Sequence, residues 1–174
     1  MGRRPLLEDP LRVNNWSSSE ATVQQVIKRY GLKPHPEGGY YREIHRSAQE
    51  VFSLEIRRVR SACTHIYFLL GQGQVSRFHR LAHDEVWNLY EGASLRLIRY
   101  EDGRMTEEYI GLNAGGPATV VKGGVYLAAE STGSYSLAGC TVAPGFEFDD
   151  FAFLSADAGR AELERRFPEY VRFL

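Results

Sequence analysis

The amino-acid sequence predicts an all-β protein: a small barrel or sandwich with one helix ahead of the strands and one behind them. Two observations lead there. Aromatic and β-branched residues alternate with polar ones at a period of two, the mark of half-buried strands. These runs are short, and turn chemistry separates them at regular spacing, as at 71–74, 101–103 and 122–124. A chain of 174 residues suits one core. Residues 1–16 read as a surface arm anchored through Leu6, Leu7 or Trp16, and residues 17–174 as a single domain.

The first helix starts at Ser17, which with Glu20 has the form of a capping box. Val23, Val26, Ile27 and Tyr30 make its apolar stripe; Gly31 stops it and Pro34 forbids continuation. The stretch HPEGG at 35–39 is a constrained loop, and 40–45 alternates as a strand. Loops on a rigid scaffold often carry sites, so His35, Glu37 and Tyr41 are candidate ligand contacts at a barrel mouth. Residues 47–62 form a polar hairpin or excursion, whose Arg57, Arg58 and Arg60 read as a solvated face.

Residues 63–70 are a buried strand, with His65, Tyr67 and Leu69 on one face and Thr64, Ile66, Phe68 and Leu70 on the other. Residues 94–100 and 105–110 pair through the turn at 101–103. The loop at 113–117 is rich in glycine but lacks the Gly-Lys-Ser/Thr of a phosphate loop. Strands at 119–121, 125–129, 135–142, 146–148 and 151–154 follow, with Asp149 and Asp150 in a turn. A last helix over 157–167 takes Ser155 or Asp157 as its cap, ends before Pro168, and packs Ala161, Leu163 and Phe167 on the barrel. The apolar groups of 170–174 need a surface, their own or that of a second subunit.

The centre of the chain is the hairpin within GQVSRFHRLAHDEVWNLYEG, residues 73–92. Strand alternation over 75–81 places Arg77, His79 and Leu81 on one face, and over 85–90 it places Glu85, Trp87 and Leu89 together. If both sets point inward, His79 and Glu85 meet inside the barrel. A buried imidazole beside a carboxylate is costly unless it is paired or used, which makes this pair the leading catalytic candidate. Trp87 and Tyr67 offer stacking faces there, and Arg77 a cation.

Composition limits the alternatives. A net charge of −1 implies no general attraction to nucleic acid or to an anionic membrane. No apolar run approaches the length of a membrane span, and the N-terminus lacks a leader's apolar core, which predicts a cytoplasmic protein. The two cysteines, Cys63 and Cys140, are then expected as free thiols.

The hairpin also resembles the first motif of the cupin superfamily: Gly, five residues, His-x-His, three or four residues, Glu, six residues, Gly. Gly73, His79, Glu85 and Gly92 keep that spacing, with Leu81 where the second histidine would stand. Residues 116–131 fit the spacing of the second motif but not its chemistry, with Lys122, Leu127 and Ser131 in place of Pro, His and Asn. The segments HPEGGYYRE, THIYFLL, HRLAHDEVW and CTVAPGFEFDDF together resemble one family of small single-domain cupins. The resemblance implies a double-stranded β-helix, a jelly-roll barrel that often dimerises, and it carries no reaction with it.

Metal-binding cupins hold an ion with three His and one Glu. Carried over, only His79 and Glu85 survive of those four, too few for a catalytic ion, so no metal and no cofactor is expected. Three functions follow. One is a metal-free pocket for a small molecule. A second is a metal-independent isomerase or epimerase for a sugar-like substrate, with His79 oriented by Glu85 as base and Tyr41 or Tyr67 as acid. A third is a degenerate metal-dependent dioxygenase or lyase drawing further ligands from His35, His83 or water. A purely structural His79–Glu85 pair stands against all three.

Overall fold

The computed structural model describes residues 22–112 and 114–174. The expected arm, with Leu6, Leu7 and Trp16, and the Ser17–Glu20 capping box lie outside the described residues. Helix α1 is Val23–Tyr30, and its capping box is built five residues later than that pair: Thr22 Oγ1 accepts from the Gln25 amide while the Gln25 side chain accepts from the Thr22 amide. Gly31 ends it at φ 62°, a left-handed conformation that costs glycine little.

Thirteen strands follow among the described residues: β1 (Lys33–Pro34), β2 (Tyr40–Arg46), β3 (Glu50–Ser53), β4 (Arg58–Ser61), β5 (Thr64–Gly71), β6 (Val75–Leu81), β7 (Asp84–Gly92), β8 (Leu95–Glu101), β9 (Arg104–Ile110), β10 (Ala118–Val121), β11 (Tyr126–Ser131), β12 (Tyr135–Ala143) and β13 (Phe151–Phe153). They form two large antiparallel sheets. The first runs β1-β2-β5-β12-β7-β10 and the second β13-β6-β11-β8-β9. β3 and β4 pair only with each other, so the excursion expected over 47–62 is a separate hairpin. Its Arg60 grips the Asp150 carboxylate through two bonds of 2.6 and 2.8 Å, fastening the hairpin to the opposite end of the chain.

Three apolar clusters explain the layering. Between the sheets lie Phe68, Trp87, Leu95, Leu97, Leu127 and Cys140 among others, drawn from both. Outside the first sheet, Val26 and Leu32 seat α1 on Leu69 and Leu137. Outside the second, the C-terminal helix α2 (Gly159–Arg166) and the 3-10 turns around it set Leu154, Leu163 and Phe173 on Phe78, Ile98 and Tyr126. Burying each such side chain contributes about 1.5–3 kcal/mol, and this is what holds two helices of little intrinsic stability.

Several sequence expectations change. Residues 146–148 are not a strand; the chain passes through them into a 3-10 turn, Phe148–Asp150. Asp157 serves the last helix by accepting from the Gly159 amide at 2.9 Å, while Ala161 faces solvent. The tail packs on its own barrel, with Phe173 meeting Phe78 edge-on at 6.0 Å. Cys63 and Cys140 are free thiols. Among the described residues no helix is long and apolar enough to cross a membrane.

Candidate functional site

Strand β6 does not alternate throughout. On its partner β11, Leu127 faces His79 and Ala129 faces Ser76, so two residues of β6, Arg77 and Phe78, stand against the single Ala128. This is a β-bulge, which shifts the side chains beyond it by one position. Ser76, His79 and Leu81 thereby all turn inward, while Phe78 joins the outer cluster. Arg77, expected inward beside His79, is carried out of the barrel: its guanidinium donates to the Pro36 carbonyl at 2.6 Å and lies 4.6 Å from the Phe153 ring centre.

The loop ahead of β2 supplies what the hairpin lacks. Gly38 adopts φ 117°, and a Cβ there would fall 2.1 Å from the Val75 carbonyl oxygen. Only glycine allows so close an approach. It presses the loop onto β6, where the Arg77 amide donates to the Glu37 carbonyl at 2.9 Å. Glu37 is thus driven inside, 5% exposed. Ser76 Oγ donates to its Oε1 at 2.9 Å, and its Oε2 lies 3.2 Å from His79 Nε2 and 3.6 Å from His35 Nδ1.

His79 is 2% exposed. Its Nδ1 is 2.7 Å from the Arg77 carbonyl oxygen, so Nδ1 carries the proton and Nε2 turns its lone pair toward Glu37. Phe151 of β13 stacks on the ring at 5.2 Å. His79 and Glu85 do meet on the inner face, each acting on the other by charge, and Glu37 joins them as the carboxyl nearest the imidazole. Glu85, 7% exposed, takes a bond of 2.7 Å at Oε2 from Trp87 Nε1. Glu85 and Trp87 share the inner face as the alternation required.

These groups form the floor of a cavity of about 230 Å³ at the barrel mouth. Tyr41, Phe68, Trp87, Phe146 and Phe148 line its walls, and Lys33, Glu43, Arg46 and Glu147 its rim. His35 sits against Tyr41, Phe68 and Phe148, at ring distances of 4.5, 5.7 and 6.3 Å. Tyr67 is not among the lining residues; on β5 the inward positions are Thr64, Ile66 and Phe68, and Tyr67 packs outside against Tyr30 and Tyr90. Phe146 and Phe148 were not singled out from the sequence. The CTVAPGFEFDDF segment was their available signal, read there as strand and turn.

Burial dominates the electrostatics. It raises Glu37 to about 8, against smaller pulls downward from Ser76 and Arg77. It raises Glu85 to about 7; His79 and Trp87 pull the other way and Glu37 adds to the rise. The same desolvation lowers His79, and lowers His35 to about 4 with help from the charge of His79. The resting floor is accordingly a neutral imidazole flanked by a protonated Glu37 and a Glu85 close to its midpoint at neutral pH.

A metal of the cupin kind does not fit this floor. Leu81 and Leu127 stand at two of the four ligand positions, and both face the small pocket beneath His79 that Val121 and Val125 help to fill. Of the other two nearby imidazoles, His83 is tied by Nε2 to Ser53 Oγ at 2.7 Å, in the β3–β4 hairpin, and His35 Nδ1 lies 3.6 Å from the Glu37 oxygen that also faces His79. Among the described residues no three His, Cys, Asp or Glu side chains are arranged to hold an ion.

The chain is similar to proteins of known sequence and structure. A family described as Cupin superfamily (DUF985) matches residues 24–154. An uncharacterised protein of Saccharomyces cerevisiae is 28% identical over 158 residues, covering 79% of this chain and 77% of that one. A solved protein from Shewanella oneidensis is 35% identical with a TM-score of 0.74, covering 88% of this chain and 96% of that one. A hypothetical protein from Leishmania major is 32% identical with a TM-score of 0.73, covering 86% and 94%. Oxalate decarboxylase from Bacillus subtilis shares the fold at 15% identity and a TM-score of 0.53, over 78% of this chain and 34% of that one. The bulged β6, the inward His79 and Glu85 and the two facing sheets are thus a cupin barrel, and the chain belongs to the Cupin superfamily (DUF985) family.

Proposed function

We propose that the barrel binds a small organic molecule at its mouth, with His79, Glu37 and Glu85 on the floor and Tyr41, Trp87 and His35 around it. One observation carries this reading: three ionisable side chains, each at most 7% exposed, converge on a cavity of about 230 Å³. Keeping such groups out of water is expensive for the fold, and it is usually retained where the groups meet a ligand. Native mass spectrometry with elemental analysis on freshly purified protein tests it. A co-purified organic species, lost in a His79→Ala variant, supports the pocket; a ligand retained unchanged by that variant removes it.

A second reading is favoured by the placement of protons. Neutral His79 is an available base, and a protonated carboxyl lies beside it, as a metal-independent isomerase or epimerase acting on a sugar-like substrate requires. Tyr41 lines the same cavity and is the tyrosine left to serve as acid, since Tyr67 faces away. Exchange of substrate carbon-bound hydrogen with solvent deuterium separates this reading from simple binding. The degenerate dioxygenase or lyase has no comparable support, given Leu81 and Leu127.

We further propose a cytoplasmic homodimer. The two free thiols suit a reducing compartment. β1 pairs only with Tyr40 and Tyr41 of β2, which leaves the outer edge of β2 from Arg42 to Arg46 without a strand among the described residues, and an open edge invites pairing. Sedimentation at micromolar concentration tests the dimer.

A further inference from the structure

The chemistry of the floor and walls narrows the ligand further, given the reading of this cavity as a binding site. Of the side chains that reach the floor, none is a permanent cation. Arg77, the candidate for that role, is taken out by the β6 bulge and spends its charge on Pro36 and Phe153. What remains are two carboxyls, Glu37 and Glu85, and an imidazole.

The oxygens of the two carboxyls are unequally engaged. Glu37 is held at Oε1 by Ser76 and at Oε2 by His79. Glu85 is held at Oε2 by Trp87, whereas its Oε1 has no hydrogen-bond partner among the described residues. No enclosed side-chain oxygen or nitrogen of the described residues lacks a partner, so Glu85 Oε1 opens on one of the two spaces this residue lines, of which only the cavity of about 230 Å³ has room for a ligand. An acceptor is thus presented to the ligand inside aromatic walls, whose ring faces carry negative potential.

The rim cations do not offset this. Arg46 is engaged by Glu43, Glu147 and the Phe146 carbonyl, and Lys33 lies over the Tyr41 ring at 5.0 Å. An anionic group on the floor would face two carboxyls, with Arg77 acting on Glu37 only from outside the barrel and Lys33 and Arg46 held at the rim. A positive group would meet an open carboxyl oxygen among aromatic side chains.

We propose that the ligand of this cavity is a small organic cation, an ammonium or protonated nitrogen heterocycle on a ring-sized apolar body, with its N–H directed at Glu85 Oε1. An apolar cavity of about 150 Å³ accepts benzene, so about 230 Å³ takes a ring with a short charged substituent. Binding draws Glu85 to its ionised form, and the displaced proton leaves to solvent. The groups that face this carboxyl are Trp87, His79, Glu37 and Cys140, and of these only His79 favours its ionised form by charge. A bound cation supplies the missing compensation.

Three probes of the same body and different charge test this by calorimetry at neutral pH: benzylammonium, benzyl alcohol and benzoate. Benzylammonium is expected to bind about tenfold or more tightly than benzyl alcohol, with benzoate weakest. The near-isosteric Glu85→Gln variant is expected to erase that preference, bringing benzylammonium down to the affinity of benzyl alcohol. Independently of any variant, the benzylammonium advantage grows as pH rises from about 5.5 to about 8, while benzyl alcohol shows no such trend. Equal binding of the three, or a preference for benzoate, overturns the cation and leaves the pocket standing. Failure of all three to bind overturns both the cation and the pocket.

Discussion

Ser76 and His79, both on β6, hold opposite oxygens of one carboxyl: Ser76 donates to Glu37 Oε1 at 2.9 Å while His79 Nε2 lies 3.2 Å from Oε2. Two residues three apart on a strand reach the same group only because the bulge at Arg77 and Phe78 brings both to the inner face. The floor of the cavity is therefore a product of one irregularity in one strand.

Ser76→Ala removes the donor on Glu37 Oε1 and leaves a buried oxygen without a partner. The expected cost is about 1–3 kcal/mol, read from urea unfolding. The Glu37 carboxyl should move further up, since the serine bond pulls it down. A variant as stable as the parent would show that water replaces the hydroxyl.

The pH dependence of stability has a definite sign. Glu37 and Glu85 rise on folding from 4.5 to about 8 and about 7, so the stability they contribute is full below about 4.5 and drains away as pH climbs through those values. His35 falls from 6.5 to about 4, so its contribution is full above about 6.5 and is lost as pH drops. The two trends oppose each other in acid, and from about 6.5 to about 8 the carboxyls act alone. The protein without ligand should lose stability over that window, by up to about 1.4 kcal/mol per pH unit from Glu37. Glu37→Gln should flatten the profile in melts taken across it.

His79→Ala takes away the imidazole that meets Glu37 and stacks on Phe151. Ligand affinity is expected to fall about tenfold or more, with the circular dichroism of the barrel retained. Wild-type affinity in this variant would assign His79 to structure alone.

How much of this was legible beforehand differs by element. The strands and the hairpin at 73–92 could be read because alternation and turn residues agreed, and Glu85 and Trp87 share the inner face as that pattern demands. The bulge could not be read. It requires knowing which residues of β11 stand opposite β6, a long-range pairing with no local mark, and strict alternation alone puts Arg77 on the wrong face. For Tyr67 the obstacle is different: its strand is buried on both faces, so residue type does not say which face lines the cavity. Glu37 was flagged by its glycine-rich loop, but its meeting with His79 depends on a backbone approach that the sequence does not display.

Gly38→Ala should be among the most damaging single changes. Its φ is 117° and the new methyl would sit 2.1 Å from the Val75 oxygen. We expect a loss of about 3 kcal/mol or more, with a lowered melting temperature as the readout. A melting temperature unchanged from the parent would mean that the loop can lift off β6 at no cost.

Chelation should do nothing. Leu81 and Leu127 deny an ion its coordination, so prolonged dialysis against EDTA is expected to leave both melting temperature and probe affinity unaltered. A drop in either would restore a metal to the site through ligands outside the described residues.

The docking of β13 has a consequence for the order in which the protein is made. Phe146 and Phe148 line one side of the cavity and Phe151 stacks on the His79 ring, and all three lie far downstream of the His79 strand. During translation the barrel wall bearing His79 leaves the ribosome well before its lid of phenylalanines is synthesised. The wall itself cannot form in that interval, because β6 takes its neighbour β11 and β7 its neighbour β12 from residues 126–143, so wall and lid close together at the end of synthesis and a half-made chain holds no cleft for a ligand to enter.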